Sequence, residues 1–273
     1  IAGKLAGKKV LWHLNDTYVP LIFRKVFSLF SSLADGYIYA SDRTKIYYRP
    51  CIKLGKPEIV IPSPVDTEMF DPSYHYDGDE ELLDRWFGKT VLGTICNVNP
   101  IKGLETFILA ASVLNQQCDN LVFVVVGPVF TSQQNYFEQL QSLCVELRVD
   151  NIEFVGARSD VRPLLARFNI YVCSSQSESS PIAVWEAMSM GKAIVSTDVG
   201  DVPLYVNHKM NGFIVDVGDA KKMSNYISEL IRDDSLQLKF GNASREIAVS
   251  ELDSSICAER HIEAFTLISH QIE

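Results

Sequence analysis

Cationic charge is in short supply in this 273-residue sequence, where 25 lysines and arginines stand against 34 aspartates and glutamates, a formal charge of −9. Such a balance repels nucleic acid and anionic surfaces unless the basic residues cluster, and they do not, so no nucleic-acid partner is expected. An anionic ligand must be met locally, by a single lysine or arginine or by a helix N-terminus. No apolar run reaches the ~18 residues of a membrane helix, and the start of the chain has no signal-peptide layout. The six cysteines form no C-x-x-C pair, and no histidine spacing reads as a zinc site. Cys96 and Cys173 sit inside apolar runs. Free thiols of that kind fit a reducing cytoplasm, the expected location. Apolar sequence, by contrast, is plentiful: 47% of residues are hydrophobic, enough for one large domain or two modest ones. The chain starts at Ile1 and enters a strand almost at once, as expected for a piece of a longer protein.

Hydrophobic patterning predicts strands over 9–14, 36–40 and 59–61, with a helix over 20–33 between the first two. On that helix Leu21, Ile22, Val26, Leu29, Phe30 and Leu33 share one face and Arg24 and Lys25 another. Docking on its own sheet is expected, although the helix could also touch a membrane surface. Pro62-Ser63-Pro64 then interrupts any sheet, residues 66–89 turn polar and acidic, and a domain boundary is placed near Pro64. Beyond it strands at 91–96, 121–126, 152–155, 170–173, 193–196 and 213–215 are separated by helices at 104–115, 133–147, 161–168 and 182–190. Further helices follow at 221–231, 236–249 and 257–270. Continuous apolar strands alternating with amphipathic helices predict an α/β, doubly wound parallel sheet, whose ligands bind at the carboxyl ends of the strands.

Several familiar motifs fail. Gly88-Lys89-Thr90 lacks the leading glycine of a P-loop and runs into a strand. Asp77-Gly78-Asp79 follows no hydrophobic strand and opens a solvated acidic helix, so no metal site is expected there. No G-x-G-x-x-G, G-x-S-x-G or H-E-x-x-H occurs. Three segments at predicted strand ends carry chemistry. After strand 170–173, Ser180 reads as an N-cap with Pro181 at the first helical position, leaving the amides of Ile182 and Ala183 free for an anion or hydroxyl. Glu178 precedes that helix and Glu186 lies about 7 Å up its axis. After strand 91–96, Asn97-Val98-Asn99-Pro100-Ile101-Lys102-Gly103 puts Lys102 where a phosphate could be met. After strand 193–196, Gly200 allows close backbone approach.

Taken together these stretches resemble the retaining family 4 glycosyltransferases of the GT-B fold. The resemblance is carried by Phe154-Val155-Gly156, the E-x7-E pair Glu178 and Glu186, Glu186-Ala187-Met188, Gly191-Lys192-Ala193-Ile194-Val195 and Asn211-Gly212-Phe213. Residues 59–70 resemble the family's interdomain linker and Asn99-Pro100-Ile101-Lys102-Gly103 its phosphate-lysine motif. It implies a Rossmann-like donor domain over 65–250, the end of an acceptor-binding domain over 1–64, and a last helix, 251–273, crossing back. It also implies transfer of a hexose-type sugar, with retention and without a metal or cofactor, from a UDP- or GDP-sugar to a saccharide or lipid-linked acceptor in polysaccharide or glycoconjugate synthesis. Peripheral association with the inner face of the membrane would accompany such an acceptor. By the same resemblance Lys102 stabilises the leaving diphosphate and Glu178 holds donor-sugar hydroxyls. The backbone from Ser180 through Pro181 and Ile182 to Ala183, with Gly103 and Gly200, lines the donor, Glu186 accepts from the ribose, and Gly156 and Arg158 lie near the base.

Departures from the family pattern are specific. Asn97 stands where an arginine is usual, and Asp201 and Leu204 replace a glycine and a glutamate. Asn15 occupies the usual position of a histidine, with His13 two residues earlier and expected in a core or structural role rather than a catalytic one. A nucleotide-sugar-binding module without turnover and a GT-B nucleotide-sugar epimerase or phosphorylase remain as alternatives at this point.

Overall fold

The computed structural model of the protein describes residues 2–17, 19, 21–53 and 55–270. The expected helix start at Pro20 lies outside them. Among the described residues nine strands form two sheets: β1 (Leu11–Leu14), β2 (Gly36–Tyr39) and β3 (Glu58–Val60) make one, in that order and all parallel. The other holds β4 (Thr90–Ile95), β5 (Leu121–Val126), β6 (Ile152–Gly156), β7 (Ile170–Cys173), β8 (Ala193–Thr197) and β9 (Gly212–Val215), in the order β6-β5-β4-β7-β8-β9. All its neighbours pair in parallel. The helices are α1 (Ala2–Leu5), α2 (Leu21–Ser31), α3 (Asp42–Tyr48), α4 (Glu80–Arg85), α5 (Leu104–Leu114) and α6 (Gln134–Leu147). They continue with α7 (Arg162–Arg167), α8 (Ile182–Ser189), α9 (Val202–Tyr205), α10 (Ala220–Arg232), α11 (Asp234–Ile247) and α12 (Ser254–His270). None of the described helices is long and apolar enough to cross a membrane.

Every residue of β5 is buried, which explains why Leu121–Val126 reads as an unbroken apolar run: both faces of the strand meet helices. One face packs Phe107, Leu140, Met223, Ile227 and Phe240, from α5, α6, α10 and α11. The other packs Leu164, Leu165, Val184, Trp185 and Met188, from α7 and α8, together with Trp86. The expected doubly wound sheet is present. Between β4 and β7 the strand order reverses, so the chain leaves those two strands toward opposite faces and opens a crevice at their carboxyl ends.

The first sheet corrects one expectation. On α2, Val26 and Leu29 are exposed to 49% and 73% instead of facing the sheet. Phe27 docks instead, its ring 5.0 Å from both Trp12 and Tyr48, while Arg24 lies over the Tyr47 ring. His13 is exposed rather than in the core, with its ring 5.3 Å from that of His261 on α12.

Two stretches of chain connect the sheets, and they touch. Val65 pairs with Asp253 in an isolated parallel bridge, Val65 N–H donating to the Leu252 carbonyl and Ser254 N–H to the Val65 carbonyl. A single π turn, Ala248–Leu252, separates α11 from α12 and turns the chain back toward the first sheet. Arg245 binds the incoming stretch: Nη1 donates to the carbonyls of Thr67, Phe70 and Ser189, and Nη2 meets Asp71 at 3.1 Å.

Candidate active site

The loops after β4 and β7 build the crevice. Asn99 accepts the Ile101 amide at 3.0 Å through its side chain, winding Pro100–Lys102 into a 3-10 turn. Gly103 ends that turn at φ +57°, where a Cβ would stand 2.3 Å from the Ser174 carbonyl oxygen, so only glycine lets the two loops meet. Gln176 N–H donates to the Ile101 carbonyl at 2.7 Å and Ser174 Oγ to the Lys102 carbonyl at 3.0 Å. These bonds deliver Lys102 Nζ to 2.7 Å from Glu178 Oε1, which also accepts from Ser175 Oγ at 2.7 Å. Burial works against the Lys102 charge, but attraction to Glu178 and the hydrogen bond that Lys102 donates to it outweigh this and hold its pKa above the ordinary lysine value. Lys102 is therefore a fixed cation at neutral pH.

A cavity of about 180 Å³ opens beside this pair and takes in Lys102, Glu178, Ser180, Pro181, Ile182 and Ala183. Half of the twelve residues expected at the site thus converge on it. Cys96 and Cys173 also line it. Burial pushes the Cys96 thiol up to about 12 and raises Cys173 as well, so both are neutral, unreactive surfaces. No backbone carbonyl among the described residues accepts from the amides of Ile182 and Ala183, which stand free at the start of α8. Among the described residues no group of three His, Cys, Asp or Glu side chains is arranged around a common metal position.

The cap of α8 differs from expectation. Pro181, not Ser180, occupies the N-cap position, and no side chain caps the helix. The Ser180 hydroxyl is taken by longer-range donors, accepting from Ser63 N–H at 2.8 Å and from Trp185 Nε1 at 3.2 Å. Glu186 lies outside the cavity lining, half-buried, and its carboxylate accepts no hydrogen bond from any described residue. Burial raises its pKa to about 7. Asn97 is half-buried at the end of β4 and supplies no charge.

Arg158, expected near the base, is held beside Gly156 by its neighbours. Its Nε donates to both carboxylate oxygens of Asp79 at 2.8 and 3.0 Å, and its Nη1 to the carbonyls of Val155 and Ala157 beside Gly156. Asp79 is 79 positions away, and sequence spacing gave no sign of the pair.

Gly200 holds φ +52°, and a Cβ there would lie 2.1 Å from the Ser179 carbonyl oxygen. The next residue, Asp201, is buried to 1% exposure; its Oδ1 accepts from Asp42 N–H at 3.3 Å and its Oδ2 has no hydrogen-bond partner among the described residues. Burial pushes its carboxyl up to about 7. Sequence reasoning missed the first sheet's share in this region entirely. Arg43 of α3 donates to the Asp198 carbonyl at 2.8 Å and pairs with its carboxylate at 2.5 Å, and Ser41 and Thr44 reach Ser179. The available signal was local: Ser41 before Asp42 is a helix start, and Ser41 does cap α3 by accepting from Thr44 N–H.

Two parallel sheets, one of them doubly wound with a cation and a carboxylate at its switch point, define a GT-B protein. Residues 87–247, more than half of the chain, match the family model of the glycosyl transferases group 1, and the chain belongs to that family. It is similar to the N,N'-diacetylbacillosaminyl-diphospho-undecaprenol alpha-1,3-N-acetylgalactosaminyltransferase of Campylobacter jejuni, 24% identical over 254 residues. It is also similar to the N-acetyl-alpha-D-glucosaminyl L-malate synthase of Bacillus anthracis, 25% identical over 191 residues. The matches cover 90% and 68% of this chain but only 64% and 49% of those relatives. Among solved structures, Anabaena Alr3699/HepE in complex with UDP and glucose superposes with a TM-score of 0.83 at 22% identity, over 97% of this chain and 73% of that one.

Proposed function

We propose that the chain carries the donor half of a retaining glycosyltransferase that moves a hexose-type sugar from a nucleoside-diphosphate sugar to a saccharide or lipid-linked acceptor. The observation that carries this reading is the Lys102–Glu178 pair beside the free amides of Ile182 and Ala183, within one cavity at the switch point. Departure of a nucleoside diphosphate from an oxocarbenium-like sugar builds charge on the β-phosphate, and a preorganised cation stabilises it most effectively. Lys102 supplies that cation in the absence of a metal. Glu178, released from part of its bond to Lys102 by the arriving phosphate, accepts from donor-sugar hydroxyls; Glu186 accepts from the ribose pair. Gly156 and the carbonyls of Val155 and Ala157 lie toward the base, with Arg158 shaping that wall through Asp79 rather than touching the ligand.

Residues 1–64 then contribute the end of the acceptor domain, 65–250 the donor domain and 251–273 the return crossing. The UDP complex of the Anabaena structure supports UDP over GDP as the donor nucleotide, and the undecaprenol-linked substrate in the Campylobacter relative's name supports a lipid-linked acceptor at the inner face of the membrane. The exposed Phe23, Val26 and Leu29 of α2 support peripheral contact with that membrane. A second reading, binding without turnover, draws on one observation: among the described residues Lys102 is the only cation lining the cavity, with Asn97 in place of an arginine.

Calorimetric titration of UDP, GDP, ADP and their sugars into this chain and its Lys102→Ala and Glu186→Ala variants tests the proposal. One diphosphate should bind, and each substitution should weaken it by about 1–3 kcal/mol, the usual cost of a lost charged hydrogen bond. Absence of binding by every nucleotide rejects the donor reading for this chain. Binding without any sugar release in the presence of acceptor supports the module.

A further inference from the structure

Glu178, Ser179 and Ser180 are consecutive, and each is anchored by a different part of the molecule. Glu178 is held by Lys102 and Ser175 of the six-stranded domain, and Ser180 by Ser63 of the connecting stretch and by Trp185. Ser179 is held by the three-stranded domain. Its hydroxyl lies 2.6 Å from Thr44 Oγ1 and 3.3 Å from Ser41 Oγ, and those two hydroxyls are 2.7 Å apart. Its carbonyl accepts from Asp201 N–H at 2.9 Å, against the face of Gly200.

Ser41 and Thr44 are fully buried. Buried hydroxyls need partners, and a helical threonine ordinarily finds one in a carbonyl of its own preceding turn. Thr44 instead directs its hydroxyl across the gap between the two sheets. Capping of α3 does not require this, since Ser41 already accepts from Thr44 N–H. From this geometry we infer that Ser41 and Thr44 are positioning residues, setting through Ser179 the loop that presents Glu178 to the donor sugar, so that the sugar subsite is complete only when the first domain is docked. The inference rests on the donor reading above for the identity of the ligand and on the hydroxyl cluster alone for the positioning.

Thr44→Val keeps the volume and removes the hydroxyl, and Thr44→Ser keeps the hydroxyl. Two probes, UDP and UDP-glucose, are titrated into each chain, and amide hydrogen exchange is followed over residues 177–181. Thr44→Val should weaken UDP-glucose about 3- to 10-fold, the range for one net hydrogen bond, while changing UDP by less than about 2-fold. Exchange at 177–181 should accelerate, and Thr44→Ser should restore both readouts. Equal effects on UDP and UDP-glucose, or no effect on either with unchanged exchange, overturn the inference. A wild-type chain that binds neither probe rejects the donor reading instead; exchange then decides the positioning claim by itself, acceleration in Thr44→Val supporting it and unchanged rates overturning it.

Discussion

Glu186→Gln should remove a pH dependence that one carboxylate imposes on folding. Glu186 has neither a hydrogen-bond donor nor a neighbouring cation among the described residues, and burial lifts its pKa from an ordinary 4.5 to about 7. Between those values the folded chain retains a proton that the unfolded chain has released. The group's contribution to stability is therefore complete below pH 4.5 and is lost as pH rises through 7. At about 1.4 kcal/mol for each tenfold change in proton affinity the whole effect approaches ~3 kcal/mol, and the water that still reaches a half-buried carboxylate lowers it to about 1–3 kcal/mol. Urea unfolding of the wild type and the variant at steps from pH 5 to pH 8 isolates this contribution, because every other titrating group cancels in the difference. Wild-type stability should fall relative to the variant across that interval. Two parallel curves would refute the reasoning, since they would mean that folding leaves the carboxylate as well solvated, or as well paired, as it is in the unfolded chain.

Asp201→Asn should act with the same sign, raising thermal stability at pH 8 by about 1–3 kcal/mol, with the gain shrinking steadily as pH falls and vanishing below about pH 4, because burial lifts this carboxyl from 3.8 to about 7. Gly103→Ala should cost more than about 2 kcal/mol in chemical denaturation, adding the penalty of a left-handed alanine to contact with the Ser174 carbonyl, and should weaken UDP binding by displacing Lys102. Arg245→Ala should cost about 3 kcal/mol or more by thermal unfolding, since it strips a donor from the carbonyls of Thr67, Phe70 and Ser189 and removes the cation from beside Asp71.

The six-stranded sheet was legible because burial on both faces leaves a mark that short windows detect: Leu121–Val126 and Ile170–Cys173 are continuous apolar runs, each followed by amphipathic sequence. Lys102, Glu178 and the α8 start were legible for a related reason, since each follows a recognisable strand end. Local chemistry misled where a distant partner won. Ser180 looks like a cap by its neighbours, yet the Ser63 amide and the Trp185 indole take its hydroxyl. Arg158 looks free until Asp79 is brought beside it, and His13 looks internal until α12 brings His261 to it. The short helices α3 and α9 carry too few residues for a periodic pattern, and α3 matters through contacts with residues more than 130 positions away. The stripe on α2 was read correctly as apolar, and the helix does dock on its own sheet, but through Phe27 rather than through Val26 and Leu29, because periodicity reports a face and not which of its residues are covered.

The reversal of strand order between β4 and β7 has an evolutionary consequence. The location of the crevice is inherited from chain connectivity, whereas its chemistry resides in two loops of a few residues each. Exchanging Asn97 for an arginine, or lengthening the stretch before Pro181, would alter which ligand is held without moving the place where it is held. Descendants of such a chain can therefore diverge in specificity through loop changes alone, while the apolar strands beneath conserve the address.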